Sequence, residues 1–235
     1  TFPAGTVPEL FISDAGDLSM RSAVEMEGRS MRRSNRSGKA AADTQNIILI
    51  RFNRSITDTQ KLAGGSFITF QPAPEGNTVL NVELSTSSTG YETALDNMDA
   101  GLTGNSFEQV LAKTQAEWNK QLSVVSIVDP SEENKTIFYS ALYHSLLLPW
   151  IISDVHGYYR GSDRQVHKTN GENEYGGFSP WDTFRSLHPL LCLMYPDRQA
   201  DMLSSMLDIY RQSGYLPTES MTGNHAIPVI VDSYL

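Results

Sequence analysis

The chain has little of what several classes of protein require. Among its 235 residues there is one cysteine, Cys192, so no intrachain disulfide can form, and its apolar neighbours favour burial over nucleophilic chemistry. No apolar run reaches the roughly 18 residues that cross a bilayer, so the sequence predicts no membrane span. The net charge of −9 argues against nucleic acid as the main partner, because phosphate binding needs clustered Lys and Arg.

The first residues, TFPAGTVPELF, also lack the charged start and apolar centre of a signal peptide. They have the pattern of the middle of a domain, and the last residues, AIPVIVDSYL, begin a helix that the sequence does not complete. We therefore expect a piece of a longer polypeptide. The N-x-S/T sequons at Asn35, Asn53 and Asn134 slightly favour a secreted, periplasmic or cell-surface protein.

What the first part of the chain does contain is a pattern of strands. Residues 46–52 (NIILIRF) form a β-branched apolar run, and residues 66–70 (SFITF) and 78–84 (TVLNVEL) alternate apolar with polar side chains. Gly- and Pro-rich turn signals separate these segments, with no helical pattern between them. Residues 1–100 are therefore predicted to form an antiparallel sheet or part of a β-sandwich.

Near residue 101 the periodicity becomes helical. A possible capping box of Ser106 and Gln109 begins a helix, which we assign to a linker over residues 101–130. Asp129 as cap and Pro130 as first helical residue predict the start of the next helix.

Residues 131–235 read as a succession of helices joined by polar, Gly-rich loops. One helix begins at Pro180 and is expected to kink at Pro189. The next runs from Pro196 to a stop at Gly214. Its predicted core face consists of Ala200, Leu203, Met206, Leu207 and Tyr210. Helices of this kind, with functional residues at one set of ends, predict a helical toroid.

The segment PWDTFRSLHPLL, residues 180–191, carries the main candidate site. Its apolar residues gather on one side of a helix with about 100° per residue, and Trp181, Arg185 and His188 form a second stripe with Asp182 at its edge. An indole beside charged side chains suits a sugar, whose C–H faces stack on aromatic rings and whose hydroxyls bind charged groups. In the structural alternative, Trp181 packs in the core, Asp182 caps the helix and Arg185 pairs with it.

A metal site is a weaker hypothesis. Asp154, His156, Asp163 and His167 lie in one Gly- and Tyr-rich segment, but their spacing matches neither a zinc pattern nor a calcium loop. A polar surface loop or short hairpin is the favoured interpretation.

Three long strings give the chain a resemblance to a known family. They are TIFYSALYHSLLLPWIISDVHGYYRG, GGFSPWDTFRSLHPLLCLMYPDRQADMLSSMLDIYRQSGYLPTES and GNHAIPVIVDSYL. Together they resemble glycoside hydrolase family 92, the calcium-dependent exo-acting α-mannosidases. The resemblance implies an α+β chain: the C-terminal part of an N-terminal antiparallel β-sandwich (1–100), a linker helix (101–130) and the first helices of an (α/α)6 toroid (131–235).

The resemblance also implies a function. The family hydrolyses terminal α-mannosides with inversion, and here α-1,2-linked mannosides of glycans are the favoured substrate. Calcium contacts mannose hydroxyls in the family. Carried over residue by residue, the resemblance assigns six residues to the terminal mannose: Trp181, Asp182, Arg185, Glu219, Asn224 and His225. The link between Glu219 and Gly223 is shorter than in many relatives, so the resemblance does not carry over to the leaving-group side of the site.

No catalytic residue is assigned within this chain. In the family the general acid and base lie further along the barrel, so they are expected beyond Leu235, as are most calcium ligands. The implied partners are a mannose-containing glycan and the remainder of the same polypeptide, and the chain alone is expected to be inactive. Two alternatives stay open: a non-catalytic carbohydrate-binding module, and a toroidal glycosidase of another specificity.

Overall fold

The structure of the chain, a computed structural model, describes residues 1–13, 18–32, 44–218 and 223–234. The chain divides into two compact units, one within Thr1–Arg33 and Asp43–Gly104 and one containing Asn105–Leu235. The fold is α+β, with antiparallel sheets in the first unit and mainly helices in the second.

In the described part of the chain, the first unit has two antiparallel sheets. The three-stranded sheet has the order β1–β6–β5 and is formed by β1 (Glu9–Ser13), β5 (Ile56–Leu62) and β6 (Gly65–Phe70). The four-stranded sheet has the order β2–β3–β4–β7 and is formed by β2 (Ser19–Met20), β3 (Glu25–Arg32), β4 (Thr44–Phe52) and β7 (Val82–Ser87).

Side chains from both sheets share one buried core. Met26 and Ile50 come from the four-stranded sheet, and Ile68 and Phe70 come from the three-stranded sheet. The Phe52 and Phe70 rings meet with their centroids 4.7 Å apart. Two sheets that bury one face each against the other form a sandwich, as predicted.

The other face of the four-stranded sheet is covered by a helix that the sequence did not predict. In α1 (Tyr91–Gly101), Ala94 and Met98 pack against Leu49, whose side chain points away from the core between the sheets. These two positions are the only side chains of α1 that are fully buried. Two buried apolar positions give a helical periodicity too weak to distinguish this helix from a polar turn in the sequence.

Two of the predicted strands have nearly their predicted bounds, and the third is displaced. β4 and β6 match residues 46–52 and 66–70, but the third strand, β7, begins at Val82, while Thr78 forms an isolated bridge to Phe2. The structure also contains β5, whose side chains are exposed except for Ile56. A strand at the edge of a sheet shows no alternation because neither face is buried deeply.

Helices dominate the second unit. They are α2 (Phe107–Leu122), α3 (Glu132–Ser145), α4 (Pro180–Thr183), α5 (Leu187–Met194), α6 (Pro196–Ser213) and α7 (Ala226–Asp232). Two short strand pairs lie between α3 and α4: β8 (Trp150–Ile151) with β11 (Tyr175–Gly176), and β9 (Tyr158–Arg160) with β10 (Val166–Lys168). Among these described helices, none has both the length and the apolarity needed to cross a membrane.

One core joins α3, α5, α6 and α7. Its buried members are Leu142, Leu146, Tyr175, Phe178, Leu191, Tyr195, Met202, Met206, Ala226 and Val229. Because these residues come from separate helices, the core fixes how the helices of this unit pack on one another.

The start of α2 is as predicted, and the start of α3 is not. Ser106 and Gln109 form the capping box of α2, with each side chain accepting a hydrogen bond from the backbone N–H of the other residue. For α3, however, the cap is Ser131. The Asp129 carboxylate accepts a hydrogen bond from the Ser131 backbone N–H at 2.7 Å, which forms a local turn before the helix begins.

The core face of α6 is also different from the predicted one. The helix has the predicted bounds, with Gly214 in the left-handed conformation at its end. Its buried residues are Gln199, Met202, Ser205 and Met206, while Ala200 is exposed and Tyr210 is 52% exposed. The prediction was right for Met206 and wrong for Ala200, Leu207 and Tyr210. It counted apolar residues, whereas two polar residues, Gln199 and Ser205, face the core and form hydrogen bonds there.

The predicted domain bounds stay predictions. The unit boundary follows Gly104 and is a division by compactness. The assignments of residues 101–130 to a linker and of residues 131–235 to the first part of a barrel stay predictions.

Candidate functional site

The candidate site begins where β11 leads into α4. Between the two elements, Gly177 has φ +76°, a conformation that side chains rarely adopt. A Cβ at Gly177 would also lie 2.7 Å from the Trp150 ring. Only glycine therefore lets the chain pass Trp150 and enter α4, where Pro180 occupies the first turn.

The predicted single helix over this segment is broken into α4 and α5. The break covers residues 184–186, so the expected kink at Pro189 is wrong in its position. In a continuous helix, the ring of Pro189 would meet the carbonyl of Arg185, four residues earlier. With a break before Leu187, Pro189 lies in the first turn of α5, where a missing N–H costs nothing.

The break places Trp181 beside a residue from a distant segment. His225, just before α7, meets Trp181 edge to face with ring centroids 4.8 Å apart, and its ring lies 5.0 Å from that of Phe184. The Arg185 guanidinium lies 4.9 Å from the Phe184 ring centroid. We call these four residues the Trp181 cluster. The helical pattern of the sequence placed Phe184 in the core stripe alone.

The Trp181 cluster is open to solvent. Trp181 is 45% exposed, and Asp182 and Arg185 are exposed as well. Trp181 is therefore not the core residue that the structural alternative predicted. Within the described chain, Arg185 forms no ion pair with Asp182; instead the Ser179 hydroxyl donates a hydrogen bond to Asp182 Oδ2 at 2.5 Å.

A tight turn brings His225 to the cluster. Gly223 has φ +93°, and a Cβ there would lie 2.8 Å from His225 Cε1. Asn224 follows and is exposed, and its carbonyl accepts a hydrogen bond from the Ile227 N–H at 3.4 Å. The predicted site residue Glu219 lies outside the described residues.

His188, which the helical stripe placed beside Trp181, lies elsewhere. It is 1% exposed, and its Nδ1 is 3.0 Å from Gln199 Oε1. Burial lowers the pKa of His188, and the hydrogen bond to Gln199 opposes that shift. The break before α5 rotates this residue away from the Trp181 stripe, so His188 is not a candidate ligand group.

The side chains considered for a metal hold the hairpin β9–β10 instead. His167 Nε2 lies 3.0 Å from the Asp163 carboxylate, and Asp154 accepts hydrogen bonds from the backbone N–H groups of His156 and Tyr158. Within the residues that the structure describes, no group of three or more His, Cys, Asp or Glu side chains is arranged to hold a metal ion.

A separate polar cleft of about 390 Å³ lies between the β9–β10 hairpin and the end of α6. It is lined by Tyr159, Asp163, His167, Lys168, Thr169, Asn170, Glu172, Asp208, Arg211 and Gln212. None of these belongs to the Trp181 cluster. The cleft is therefore not the predicted sugar site.

Near this cleft is a buried carboxyl group that nothing in the sequence marks. Glu174 is 1% exposed, and its Oε2 has no hydrogen-bond partner. Burial raises the pKa of Glu174 to about 8, helped by the negative charges of Asp208 and Glu172 and opposed by a hydrogen bond with Ser205. Burial and the nearby acids, Glu174 first among them, also raise the pKa of Tyr159 to about 12.

More than half of the chain matches one known protein family. Residues 93–235 match the family model of the glycosyl hydrolase family 92 catalytic domain. The chain belongs to this family. The match includes the whole of the Trp181 cluster and begins inside α1.

Solved structures of family 92 have the same fold. The α-mannosidase BT3965 from Bacteroides thetaiotaomicron superposes with a TM-score of 0.77 at 25% identity, over 90% of this chain and 32% of that protein. Its complex with mannoimidazole gives 0.76 at 24% identity, over 90% of this chain and 31% of that one. The inverting mannosidase BT2199 from the same organism gives 0.84 at 22% identity, over 100% of this chain and 35% of that one.

The chain thus spans about a third of the length of these family 92 structures. No curated protein matches it. The match to the family model establishes family membership, and the superposed structures establish the fold. The activity of the whole protein is a proposal.

Proposed function

We propose that the protein is an α-mannosidase of family 92 and that this chain provides part of its mannose-binding surface. Family membership supports the reaction class, and the α-mannosidase BT3965 is 25% identical to the chain. The observation that carries the binding role is the exposed Trp181 face, which lies beside Asp182 and Arg185 and against His225.

Each exposed residue has a defined task in this proposal. The Trp181 indole stacks on the C–H face of the terminal mannose, and Arg185 donates hydrogen bonds to hydroxyl oxygens. Because Ser179 fixes Oδ2 of Asp182, the other carboxylate oxygen is oriented to accept a hydrogen bond from a hydroxyl. These residues bind and orient the sugar without transferring protons.

Inversion is part of the proposal and needs two further carboxyl groups. An inverting glycosidase places its general acid and base ~6.5–9.5 Å apart, which leaves room for the attacking water. We assign both to regions of the family 92 enzymes that this chain does not span. Proton NMR of the first product should therefore show β-mannose from the full-length protein, and the 235-residue chain should release no mannose.

Calcium dependence is proposed from the family alone. The described residues do not fit a calcium site, because no three of their acidic, His or Cys side chains converge on one point. We assign the ligands to other parts of the protein and route no step through the ion. A chelator should abolish activity of the full-length enzyme and added calcium should restore it; activity that survives chelation would disprove the dependence.

Linkage preference and location complete the proposal. We propose α-1,2-linked mannosides as the preferred substrates and a secreted, periplasmic or cell-surface location, which the sequons support only slightly. A panel of α-1,2, α-1,3, α-1,4 and α-1,6 mannobioses tests the linkage. Fractionation of the producing cells tests the location.

The test of the mannose-binding surface is the substitution Trp181→Ala in the full-length protein. With an aryl α-mannoside, we expect kcat/KM to fall by about thirtyfold or more, because a well-placed Trp typically contributes at least ~2 kcal/mol to binding. The matched control is Phe107→Ala, which removes an aromatic ring that is 73% exposed on α2.

The possible outcomes separate the three functions. Unchanged kcat/KM in Trp181→Ala contradicts the binding role of the cluster. Mannose affinity without turnover in the full-length protein indicates a carbohydrate-binding module. Preference for another aryl α-glycoside indicates a glycosidase of a different specificity.

A further inference from the structure

A buried chain of hydrogen bonds joins α5, α6 and α7. His188 Nδ1 lies 3.0 Å from Gln199 Oε1, and Gln199 Nε2 donates to Ser233 Oγ at 2.9 Å. Ser233 Oγ in turn donates to the Val229 carbonyl at 2.7 Å. His188 and Gln199 are 1% and 2% exposed. We call these four groups the α7 relay.

With the Gln199 amide oriented as it is in the structure, the α7 relay has one order of donors and acceptors. The amide nitrogen donates to Ser233 Oγ, and the Ser233 hydroxyl donates to the Val229 carbonyl, which also accepts a hydrogen bond from the Ser233 backbone N–H at 3.1 Å. The amide oxygen faces His188 Nδ1 and can only accept. His188 Nδ1 therefore carries the proton of a neutral imidazole, in agreement with its lowered pKa.

The relay holds one end of α7, and the Trp181 cluster lies at the other end. His225 precedes the helix and contacts Trp181. Ser233 follows the helix, where it bonds to Gln199 and has Cys192 Sγ 3.4 Å from its hydroxyl. With its 7 residues, α7 is only about 10 Å long. Movement at its last residue is therefore transmitted directly to its first.

The position of α7 depends on these contacts because the helix has little stability of its own. A helix of this length is marginal in water, and His225 provides no side-chain cap. Burial of its apolar residues, Ala226 and Val229, holds the helix on the core but does not fix the direction of its axis, because the hydrophobic effect is not directional. Hydrogen bonds between defined donors and acceptors do fix that direction, because their geometry is directional.

We propose that Gln199 and Ser233 are positioning residues: through the α7 relay they fix the last turn of α7, and thereby hold His225 against Trp181. They touch no substrate in this proposal. The consequence for mannose binding rests on the proposed function, whereas the positional claim does not.

The test compares Ser233→Ala and Gln199→Leu with a matched control in the 235-residue chain. Ser213→Ala is the control because Ser213 Oγ also donates to the carbonyl four residues earlier, Ile209, at 2.7 Å, but makes no bond to the relay. The measurement is the nuclear Overhauser signal between the indole protons of residue 181 and the ring protons of residue 225, assigned with Trp181→Phe. It does not depend on any enzymatic activity.

We expect the signal between Trp181 and His225 to be present in the wild type and in Ser213→Ala, and to disappear in both relay variants. Ser233→Ala removes a single oxygen, so it tests the relay even if Gln199→Leu does not fold. A signal that persists in a folded relay variant would overturn the proposal, as would an equal weakening of the signal in Ser213→Ala. If the signal disappears in the relay variants while the α-mannosidase activity of the full-length protein is unchanged, the positional claim stands and the proposed mannose-binding role of the Trp181 cluster fails.

Discussion

At the scale of single residues, the carboxyl of Glu174 links the stability of the second unit to pH. A carboxyl group without a cation partner in a buried site is held neutral, because its charge would lose its hydration. Its pKa is about 8 in the folded chain, against 4.5 as the ordinary value. The folded state therefore holds a proton that the unfolded state releases at any pH between these values.

This difference gives a prediction with a definite sign. Because the folded state binds more protons, the free energy of unfolding falls as pH rises from about 4.5 to about 8, by up to ~1.4 kcal/mol per pH unit from this group. Glu174→Gln keeps the shape and cannot ionise, so its free energy of unfolding should lack this decline. Urea unfolding at about pH 5, 6, 7 and 8 measures both slopes.

The comparison at about pH 5 serves as the internal control, since the carboxyl is protonated in the folded wild type there and the two proteins should differ least. Parallel slopes for the wild type and Glu174→Gln would show that Glu174 ionises freely. His188 has the opposite effect, because its lowered pKa removes stability as pH falls below about 6.5.

Also at this scale, the sequence placed some candidate residues correctly and misplaced others. Trp181 and Arg185 are exposed, as the stripe beside the core face suggested, and their role in a site stays a prediction. His188 was misplaced because its assignment assumed a continuous helix. The contact of His225 with Trp181 was implied only by the family resemblance, because about forty residues separate the two and no local pattern records such a contact.

At the scale of elements, α6 shows why a count of apolar residues does not find the buried face of a helix that also has polar residues in the core. The predicted face contained Leu207, yet that residue is 36% exposed, whereas Met202 is fully buried. Ser205 Oγ accepts a hydrogen bond from the Tyr175 backbone N–H at 2.9 Å, which gives a polar side chain a reason to face inward.

The observed buried face of α6 and the face predicted from the sequence imply different losses of stability for two similar substitutions. Met202→Ala should lower the free energy of unfolding by about 2–5 kcal/mol, because it leaves a cavity in the core. Leu207→Ala should cost about 1 kcal/mol or less, since much of its surface is already in water. Chemical denaturation of both variants measures the difference, and a larger cost at Leu207 would support the face predicted from the sequence.

At the scale of the whole molecule, the two units have separate hydrophobic cores. The core between the two sheets includes Ile68, and the core among the helices includes Met202, each with no exposed surface. Units with their own cores can open independently, so a cavity in one core should lower the protection of that unit alone.

Hydrogen exchange measured by mass spectrometry tests this independence. Ile68→Ala should speed exchange in β1, β5 and β6, and Met202→Ala should speed exchange in α5, α6 and α7. If either variant accelerated exchange equally in both units, the chain would open as a single cooperative body.

The sequence by itself determined the α+β class, the antiparallel strands β4 and β6, the bounds of α6 and the family. These follow from local signals in the sequence: periodicity, capping residues, turn residues and a long family motif. None of these signals depends on contacts between distant segments of the chain. Only the tertiary structure decided that α4 and α5 are separate, that Glu174, His188 and Gln199 are buried, and that His225 meets Trp181. The reason is that burial and contact depend on which distant surfaces cover a residue, and a polar group faces the core wherever a partner from another element satisfies it.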